Sequence, residues 1–232
     1  MTSRVAVVVP ALNEECSIGG VVQALRALDV EPEVVVIDDG SLDGTGQAAQ
    51  AAGATVLRMP FNAGIGAAVQ AGIRFALERG AETIVRVDGD GQHDVADVPS
   101  LLEALSQEGV QLVLGSRYLE PRGRQTSPAR RAGIAWFAFL LRWTCGLRIT
   151  DPTSGFWAAR ADAAHLLLDR YSSDYPEVDS LVYLSRRGCR IQEVPVTMRP
   201  RGGGSSSIQG LQTLYYMIKV TLALFMQRVA RR

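Results

Sequence analysis

The sequence is poor in lysine, cysteine and histidine, and it carries no net charge. Its 24 basic residues equal its 24 acidic ones, so the protein as a whole has no electrostatic attraction for nucleic acid. All but one of the basic residues are arginine, which we interpret as a bias of base composition. The three cysteines, Cys16, Cys145 and Cys189, are odd in number and far apart, which favours reduced thiols in the cytosol over disulfides or a zinc site.

Long apolar segments are also missing. The stretch Leu214–Met226 contains a single charge but only 13 residues, whereas about 20 are needed to cross a bilayer. The chain runs from Met1-Thr2-Ser3-Arg4 directly into a predicted strand, so we expect no signal peptide. A length of 232 residues with 47% hydrophobic residues is typical of one large α/β domain, with or without a short appendage.

The first half of the chain alternates strands with helices. Buried strands are predicted at 5–9, 34–37, 54–57, 83–87 and 112–114, with helices at 14–28, 45–52, 67–79 and 98–107. The second half is less regular, with helices predicted at 129–143, 162–168, 178–187 and 208–229, and a strand at 190–194. Repeated β-α units predict a parallel sheet, with ligands bound at the carboxyl ends of its strands.

Two aspartates flank a glycine after the fourth predicted strand, in the sequence Asp88-Gly89-Asp90. Carboxylate oxygens held so close together suit Mg²⁺ or Mn²⁺ already bound to a diphosphate. We therefore predict Asp88 and Asp90 as metal ligands, with Gln92 and His93 as further ligands or donors. The alternative is a solvated turn whose aspartates cap a helix.

Two more motifs follow predicted strands. Asp38-Asp39 places like charges together, which is costly unless the carboxylates have a function such as accepting a base N–H or ribose hydroxyls. The alternative is an acidic first turn that the helix dipole favours. The loop Asn62–Gly66 opens a helix, and its glycines, Gly64 among them, let the backbone approach an anion. It lacks the lysine of a P-loop, which excludes that type of NTPase.

Taken in order, these motifs resemble glycosyltransferase family 2, nearest to its dolichol-phosphate mannosyltransferase branch and the bacterial polyprenyl-phosphate relatives. The segments that carry the resemblance are Val8–Glu15, Val36–Thr45, Asn62–Gly66, Asp88–His93, Gly115–Arg117, Asp151–Phe156 and Val194–Val196. The resemblance implies the GT-A fold over residues 1–207, a Rossmann-like, mostly parallel sheet flanked by helices. It also implies a nucleotide-diphosphate-sugar donor and inversion at the anomeric carbon.

The resemblance extends to individual residues. Those expected to bind the nucleotide sugar are Pro10, Ala11, Glu14, Asp38, Asp39, Gly64, Asp88 and Gly89. Those expected to carry catalysis are Asp90, Arg117, Arg131, Arg201 and Glu177. The arginines would surround the phosphates of donor and acceptor, since a guanidinium binds two oxygens at once. Arg130 and Arg199 compete with Arg131 and Arg201 for these roles.

The sequence leaves the acceptor open. A lipid phosphate is already an anionic nucleophile, whereas a hydroxyl of a glycan needs a base, for which Glu177 and Asp179 are candidates. Both acids also suit the first turn of a helix. Ile65 and Ser206-Ser207 stand where family members often carry a lysine, which affects donor and acceptor choice. A different class of function is a non-catalytic nucleotide-sugar-binding protein.

Two apolar helices bear on location. The predicted C-terminal helix, within 208–232, has one broad apolar stripe with Lys219 and Arg228 beside it. It suits either a membrane surface or a core or dimer contact, and Ile134–Leu141 allows the same two interpretations. We expect a cytoplasmic protein, peripheral on the inner face of the cell membrane, with a separate small membrane protein or a second copy as further partners and no nucleic acid.

Overall fold

The computed structural model describes residues 4–120, 128–171, 176–200 and 221–222. Its strands are β1 (Val5–Ala11), β2 (Glu33–Asp38), β3 (Thr55–Arg58), β4 (Thr83–Arg86), β5 (Val110–Ser116), β6 (Trp157–Arg160) and β7 (Arg190–Pro195). Its helices are α1 (Glu15–Arg26), α2 (Thr45–Ala51), α3 (Ile65–Glu78), α4 (Val98–Ser106), α5 (Pro128–Cys145), α6 (Ala161–Arg170) and α7 (Pro176–Arg186). Arg201 and nearly all of the predicted C-terminal helix lie outside the described residues.

The strands form one sheet in the order β3-β2-β1-β4-β6-β5-β7. β6 runs antiparallel to both of its neighbours, and the other described strands run in one direction. Side chains of β1 alternate between two cores. Ala6 and Val8 pack with α3, while Val7 and Val9 pack with α1. Because helices cover both faces, a central strand must be apolar throughout, which explains the run of valines.

β6 is the strand that the sequence did not predict. Its residues, Trp157 to Arg160, include two alanines and no β-branched side chain, so local propensity is weak. The strand is defined by its pairing with β4 on one side and β5 on the other. Because β6 is antiparallel, it begins at the edge where its neighbours end. The preceding segment Asp151–Phe156 therefore lies at the carboxyl edge of the sheet.

Two packing features shape this edge. Gly72 lets α3 lie against the sheet, since a Cβ there would be 2.4 Å from Val8 and 2.6 Å from Ile37. α5 has two distinct faces, of which the inner one buries Ile134, Phe137, Leu140 and Leu141. Its outer face exposes Trp136, Phe139 and Trp143. Within the described residues, no helix combines the length and the apolar character needed to span a membrane.

Candidate active site

The carboxyl ends of β1, β2 and β4 are joined by hydrogen bonds between their backbones. The Pro10 carbonyl accepts from Gly89 N–H at 3.2 Å, and the Ala11 carbonyl accepts from Asp39 N–H at 2.9 Å. Ser17 adds a second link, since its hydroxyl donates to the Gly89 carbonyl at 2.9 Å and to Glu14 Oε2 at 3.1 Å. The residues predicted to bind the nucleotide therefore come from separate strands and form one continuous surface.

The loop after β1 is fixed by the loop after β2. Asn13 has a left-handed backbone with φ of 54°, a conformation that asparagine tolerates better than most residues. Its N–H donates to Ser41 Oγ at 3.0 Å, and its Oδ1 accepts from Leu42 N–H at 2.9 Å. Glu14 N–H donates to Thr45 Oγ1 at 2.8 Å, so the start of α1 is also attached to the start of α2.

Asp38 and Asp39 are both buried, and both accept hydrogen bonds from the backbone. Asp38 Oδ1 accepts from Ser41 N–H at 2.9 Å, while its Oδ2 lies 3.7 Å from Arg58 Nε. Asp39 accepts from two N–H groups of the glycine-rich loop, those of Ala63 at 2.8 Å and Gly64 at 2.9 Å. Asp39 therefore ties the end of β2 to the start of α3.

Asp88 is held from inside the protein by Arg86. Arg86 Nη2 and Nε donate to Asp88 Oδ1 at 3.1 and 3.3 Å, and the Arg86 side chain is only 1% exposed. Burial disfavours the Asp88 carboxylate, but the Arg86 guanidinium holds the pKa of Asp88 below its usual range. Arg117 acts on this pKa in the same direction. Asp88 is therefore ionised at neutral pH.

The rest of the Asp-Gly-Asp motif folds back on itself. Asp90 Oδ1 accepts from Gln92 N–H at 2.9 Å, which orients the carboxylate. His93 Nδ1 accepts from Asp88 N–H at 3.1 Å, and the ring stacks on Phe156 with centroids 4.8 Å apart. Burial lowers the pKa of His93, so the ring is neutral at pH 7. The His93 ring therefore holds the backbone N–H of Asp88 in place.

A divalent cation fits the chemistry of this motif. Asp88 and Asp90 supply hard oxygen atoms of the kind that Mg²⁺ and Mn²⁺ prefer, and Gln92 lies beside them. In the described part of the chain, no group of three or more His, Cys, Asp or Glu side chains could hold a metal by itself. A cation here would therefore take further oxygen ligands from a bound diphosphate.

Arg117 lies at the end of β5, where it is bound by Asp151. Its Nε and Nη2 donate to Asp151 Oδ2 and Oδ1 at 2.5 and 2.7 Å, and Nη2 also donates to Thr153 Oγ1 at 2.9 Å. Although burial opposes the charge, the hydrogen bonds that Arg117 donates to Asp151 raise the pKa of Arg117 above its ordinary value. The rigid fork of this salt bridge fixes the direction of the guanidinium.

Arg131 shares a neighbour with Arg117. The guanidinium carbons of Arg117 and Arg131 lie 5.6 and 5.9 Å from the centre of the Tyr118 ring, within the range of cation–π attraction. The structure thus brings together two of the three predicted phosphate-binding arginines. Arg199, the alternative to Arg201, donates to Asp94 Oδ1 at 2.8 Å and is exposed.

Glu177 lies in the first turn of α7 and accepts from Arg86 Nη1 at 3.1 Å. The candidate base is therefore connected to Asp88 through one guanidinium.

Sequence reasoning missed Arg86, although a charged residue within the buried run Thr-Ile-Val-Arg-Val must have a buried partner. It also missed Glu193, whose carboxylate accepts from Thr150 and Asp151 N–H groups at 2.8 and 2.9 Å and holds Asp151 in place. No local pattern marks Glu193.

Comparison with known proteins gives consistent matches. The family model described as "Glycosyl transferase family 2" matches residues 6–167. The undecaprenyl-phosphate mannosyltransferase of Micrococcus luteus is 38% identical, in a match that covers 89% of this chain and 88% of that protein. The polyprenol monophosphomannose synthase of Mycolicibacterium smegmatis is 30% identical, in a match that covers 94% of this chain and 86% of that protein.

Solved structures give a similar picture. A crystal structure of glucosyl-3-phosphoglycerate synthase from Mycobacterium tuberculosis, in complex with Mn²⁺, UDP-glucose and phosphoglyceric acid, has a TM-score of 0.73 and 26% sequence identity. The match covers 97% of this chain and 79% of that one.

Proposed function

Since this chain belongs to glycosyltransferase family 2 and is a glycosyltransferase, we propose that it transfers a sugar from a nucleotide-diphosphate sugar to a polyprenyl phosphate. The family and the GT-A fold expected from the motifs are confirmed by the family match and by the structural likeness. The observation that carries the proposal is the meeting of Asp88 and Asp90 with Arg117 at one sheet edge. The segment before β6 connects them, since a Cβ on Gly155 would lie 3.0 Å from Asp88 Oδ2 and Thr153 Oγ1 accepts from Arg117 Nη2 at 2.9 Å.

The donor would bind across the ends of β1, β2 and β4. Pro10, Ala11, Glu14 and Asp39 would line the nucleoside, and the Asn62–Gly66 loop would lie beside it. Asp88 and Asp90, with Gln92, would hold the diphosphate through Mg²⁺ or Mn²⁺. When bound, such a metal neutralises negative charge on the leaving diphosphate. The Mn²⁺ and UDP-glucose in the related synthase structure support this arrangement.

The acceptor phosphate would bind at the arginines. Arg117 is fixed by Asp151, and both Arg117 and Arg131 lie beside the Tyr118 ring. Both can therefore bind phosphate oxygens without losing much conformational freedom. A phosphate oxygen would attack the anomeric carbon as the bond to the diphosphate breaks, with inversion. Because the nucleophile is already ionised, the protein needs no base and contributes by holding the two anions in line.

A polyprenyl acceptor requires work at a membrane surface, and α5 suits it. Trp136, Phe139 and Trp143 are exposed on its outer face, and the helix carries three arginines and no acidic residue. Aromatic side chains and cations favour the interface of a bilayer with anionic headgroups. We extend the proposal to peripheral attachment through this face.

The test uses the full chain with a panel of labelled donors, such as GDP-mannose and UDP-glucose, and two acceptors in vesicles. Undecaprenyl phosphate offers a phosphate, and undecaprenol offers a hydroxyl on the same hydrocarbon. We expect a lipid-linked product only with the phosphate, dependent on Mg²⁺ or Mn²⁺, and reduced about 10²–10³-fold in Asp90→Asn. Failure with every donor would overturn the proposal. Product from undecaprenol or a glycan, with the lipid phosphate inert, would favour the hydroxyl alternative.

A further inference from the structure

Arg86 is a buried cation that none of the roles above uses. Its side chain is 1% exposed, and it lies at the end of β4, two residues before the first aspartate of the Asp-Gly-Asp motif. Burying a guanidinium is costly unless it is paired and hydrogen-bonded throughout. The partners of Arg86 therefore show what the protein gains from keeping the charge there.

The two ends of the guanidinium have different partners. Nε and Nη2 donate to one oxygen of Asp88, Oδ1. Nη1 donates to Glu177 Oε1 at 3.1 Å and to the Tyr171 hydroxyl at 3.0 Å. Arg86 thus connects the Asp-Gly-Asp motif to the first turn of α7, and two carboxylates share its single positive charge.

The pair of Arg86 and Asp88 is closely packed on the side of Gly155. A Cβ on Gly155 would lie 2.9 Å from Arg86 Nη2 and 3.0 Å from Asp88 Oδ2, so the turn before β6 closes directly on both side chains. Asp88 itself remains 29% exposed. Its carboxylate is therefore fixed from behind while part of it faces the site.

We propose that Arg86 is a positioning residue that orients the Asp88 carboxylate for the cation and diphosphate, and that Glu177 anchors Arg86 instead of serving as a general base. This inference rests on the proposed function. It assigns Glu177 to the support of Asp88, and it agrees with an acceptor that needs no base. Partners that orient a metal-binding side chain typically contribute 10- to 100-fold to metal affinity.

The experiment measures Mn²⁺ binding in the presence of GDP or UDP, from the electron paramagnetic resonance signal of free Mn²⁺, together with thermal unfolding. The double variant Arg86→Met with Glu177→Met removes one buried cation and one anion, while the partly exposed Asp88 can be hydrated. We expect a folded protein whose Mn²⁺ dissociation constant is raised about 10- to 100-fold. Arg86→Lys keeps the charge but loses the fork, and we expect a smaller weakening in the same direction.

Two controls separate this role from its alternatives. Arg79→Met with Glu33→Met removes a partly exposed pair whose Nε and Oε1 lie 2.6 Å apart. Glu33 is the first residue of β2, at the end of the strand opposite the carboxyl edge that carries the motif, so Mn²⁺ binding should be unchanged. Glu177→Gln keeps an oxygen acceptor for Arg86, so we expect a smaller weakening of Mn²⁺ binding than in the double variant, with transfer reduced in proportion to the weaker binding.

Three outcomes would overturn the inference. If folded Arg86→Lys and the double variant bind Mn²⁺ as the wild type does, Arg86 serves only the stability of the fold. If Glu177→Gln abolishes transfer with Mn²⁺ binding intact, Glu177 is a base. If the wild type itself binds no Mn²⁺ with either nucleotide, the metal-assisted part of the proposed function fails as well. The first two outcomes do not affect that part of the proposed function.

Discussion

The acidic pair after β2 and the acidic pair after β4 lie at the same edge of the sheet, but the protein holds their carboxylates differently. Asp38 and Asp39 accept from backbone N–H groups of nearby loops. In the second pair, Asp88 is held by a buried guanidinium and stays partly exposed, whereas Asp90 is buried and accepts from Gln92 N–H. We infer that the first pair stabilises the loops of the pocket, whereas Asp88 in the second pair presents its charge to a ligand.

The largest effect that would break this contrast is expected at Asp39. Asp39→Ala leaves the N–H groups of Ala63 and Gly64 without their carboxylate, at a cost of about 2–3 kcal/mol in the free energy of unfolding. Asp39→Asn retains one acceptor oxygen and should lose about half as much. Urea denaturation followed by circular dichroism measures both values.

Asp90→Asn is the matched control for Asp39. Its carboxylate accepts from Gln92 N–H, and an amide oxygen can do the same, so the free energy of unfolding should change by less than about 1 kcal/mol. If Asp39→Ala proves as stable as the wild type, or Asp90→Asn proves less stable than Asp39→Asn, the inference that the first pair stabilises the loops of the pocket is wrong.

A smaller effect is expected at high pH for Tyr171, whose hydroxyl accepts a hydrogen bond from Arg86, the partner of Asp88. Burial raises the pKa of Tyr171 to about 12, compared with about 10 in an unfolded chain. Because the folded value is the higher one, this contribution to stability is complete below pH 10 and is lost as the pH rises towards 12. The advantage of the wild type over Tyr171→Phe in unfolding free energy should therefore shrink by about 1 kcal/mol at pH 11.

The measurement is a pair of denaturation series for the wild type and Tyr171→Phe between pH 8 and 11.5. Other tyrosines and the basic residues titrate in both proteins, so the difference between the two isolates Tyr171. A difference that stays constant over this range would show that the Tyr171 hydroxyl ionises as it does in water. The link from Arg86 to α7 would then be looser than its 3.0 Å contact indicates.

Much of this edge could be predicted from the sequence, because its determinants are local. The continuous valines of β1 and β2 identify strands buried on both faces, and the two aspartate pairs lie at or just after the ends of β2 and β4. Since parallel strands end at one edge, the sequence is sufficient to predict that Asp39 and Asp88 lie at the same edge of the sheet. The helix at 129–143 was likewise evident from its apolar residues.

The partners of these carboxylates could not be predicted, because each lies far away in the chain. Asp39 and Gly64 are 25 residues apart, and Arg86 and Glu177 are 91 apart. Their contact depends on how α3 and α7 pack, which no short pattern encodes. Arg86 was the exception in principle, since a charge within a buried strand signals a hidden partner. The outer face of α5 could not be predicted either, because its aromatic residues form one continuous apolar segment of the sequence with the residues of the inner face.

The smallest effect is expected at Arg58, the cation of the first pair. Arg58 is 64% exposed and its Nε lies 3.7 Å from Asp38 Oδ2, so water and salt screen the interaction. Arg58→Ala should lower the unfolding free energy by about 0.5 kcal/mol in dilute buffer, and the difference should vanish near 1 M NaCl, where the Debye length is about 3 Å. Asp38 keeps its hydrogen bond from Ser41 N–H, so its carboxylate still has a partner in the variant.

A salt-insensitive loss of several kcal/mol would instead make the pair of Arg58 and Asp38 equivalent to that of Arg86 and Asp88, whose ion pair is shielded from solvent by the protein. Denaturation of the wild type and Arg58→Ala at two salt concentrations distinguishes these results.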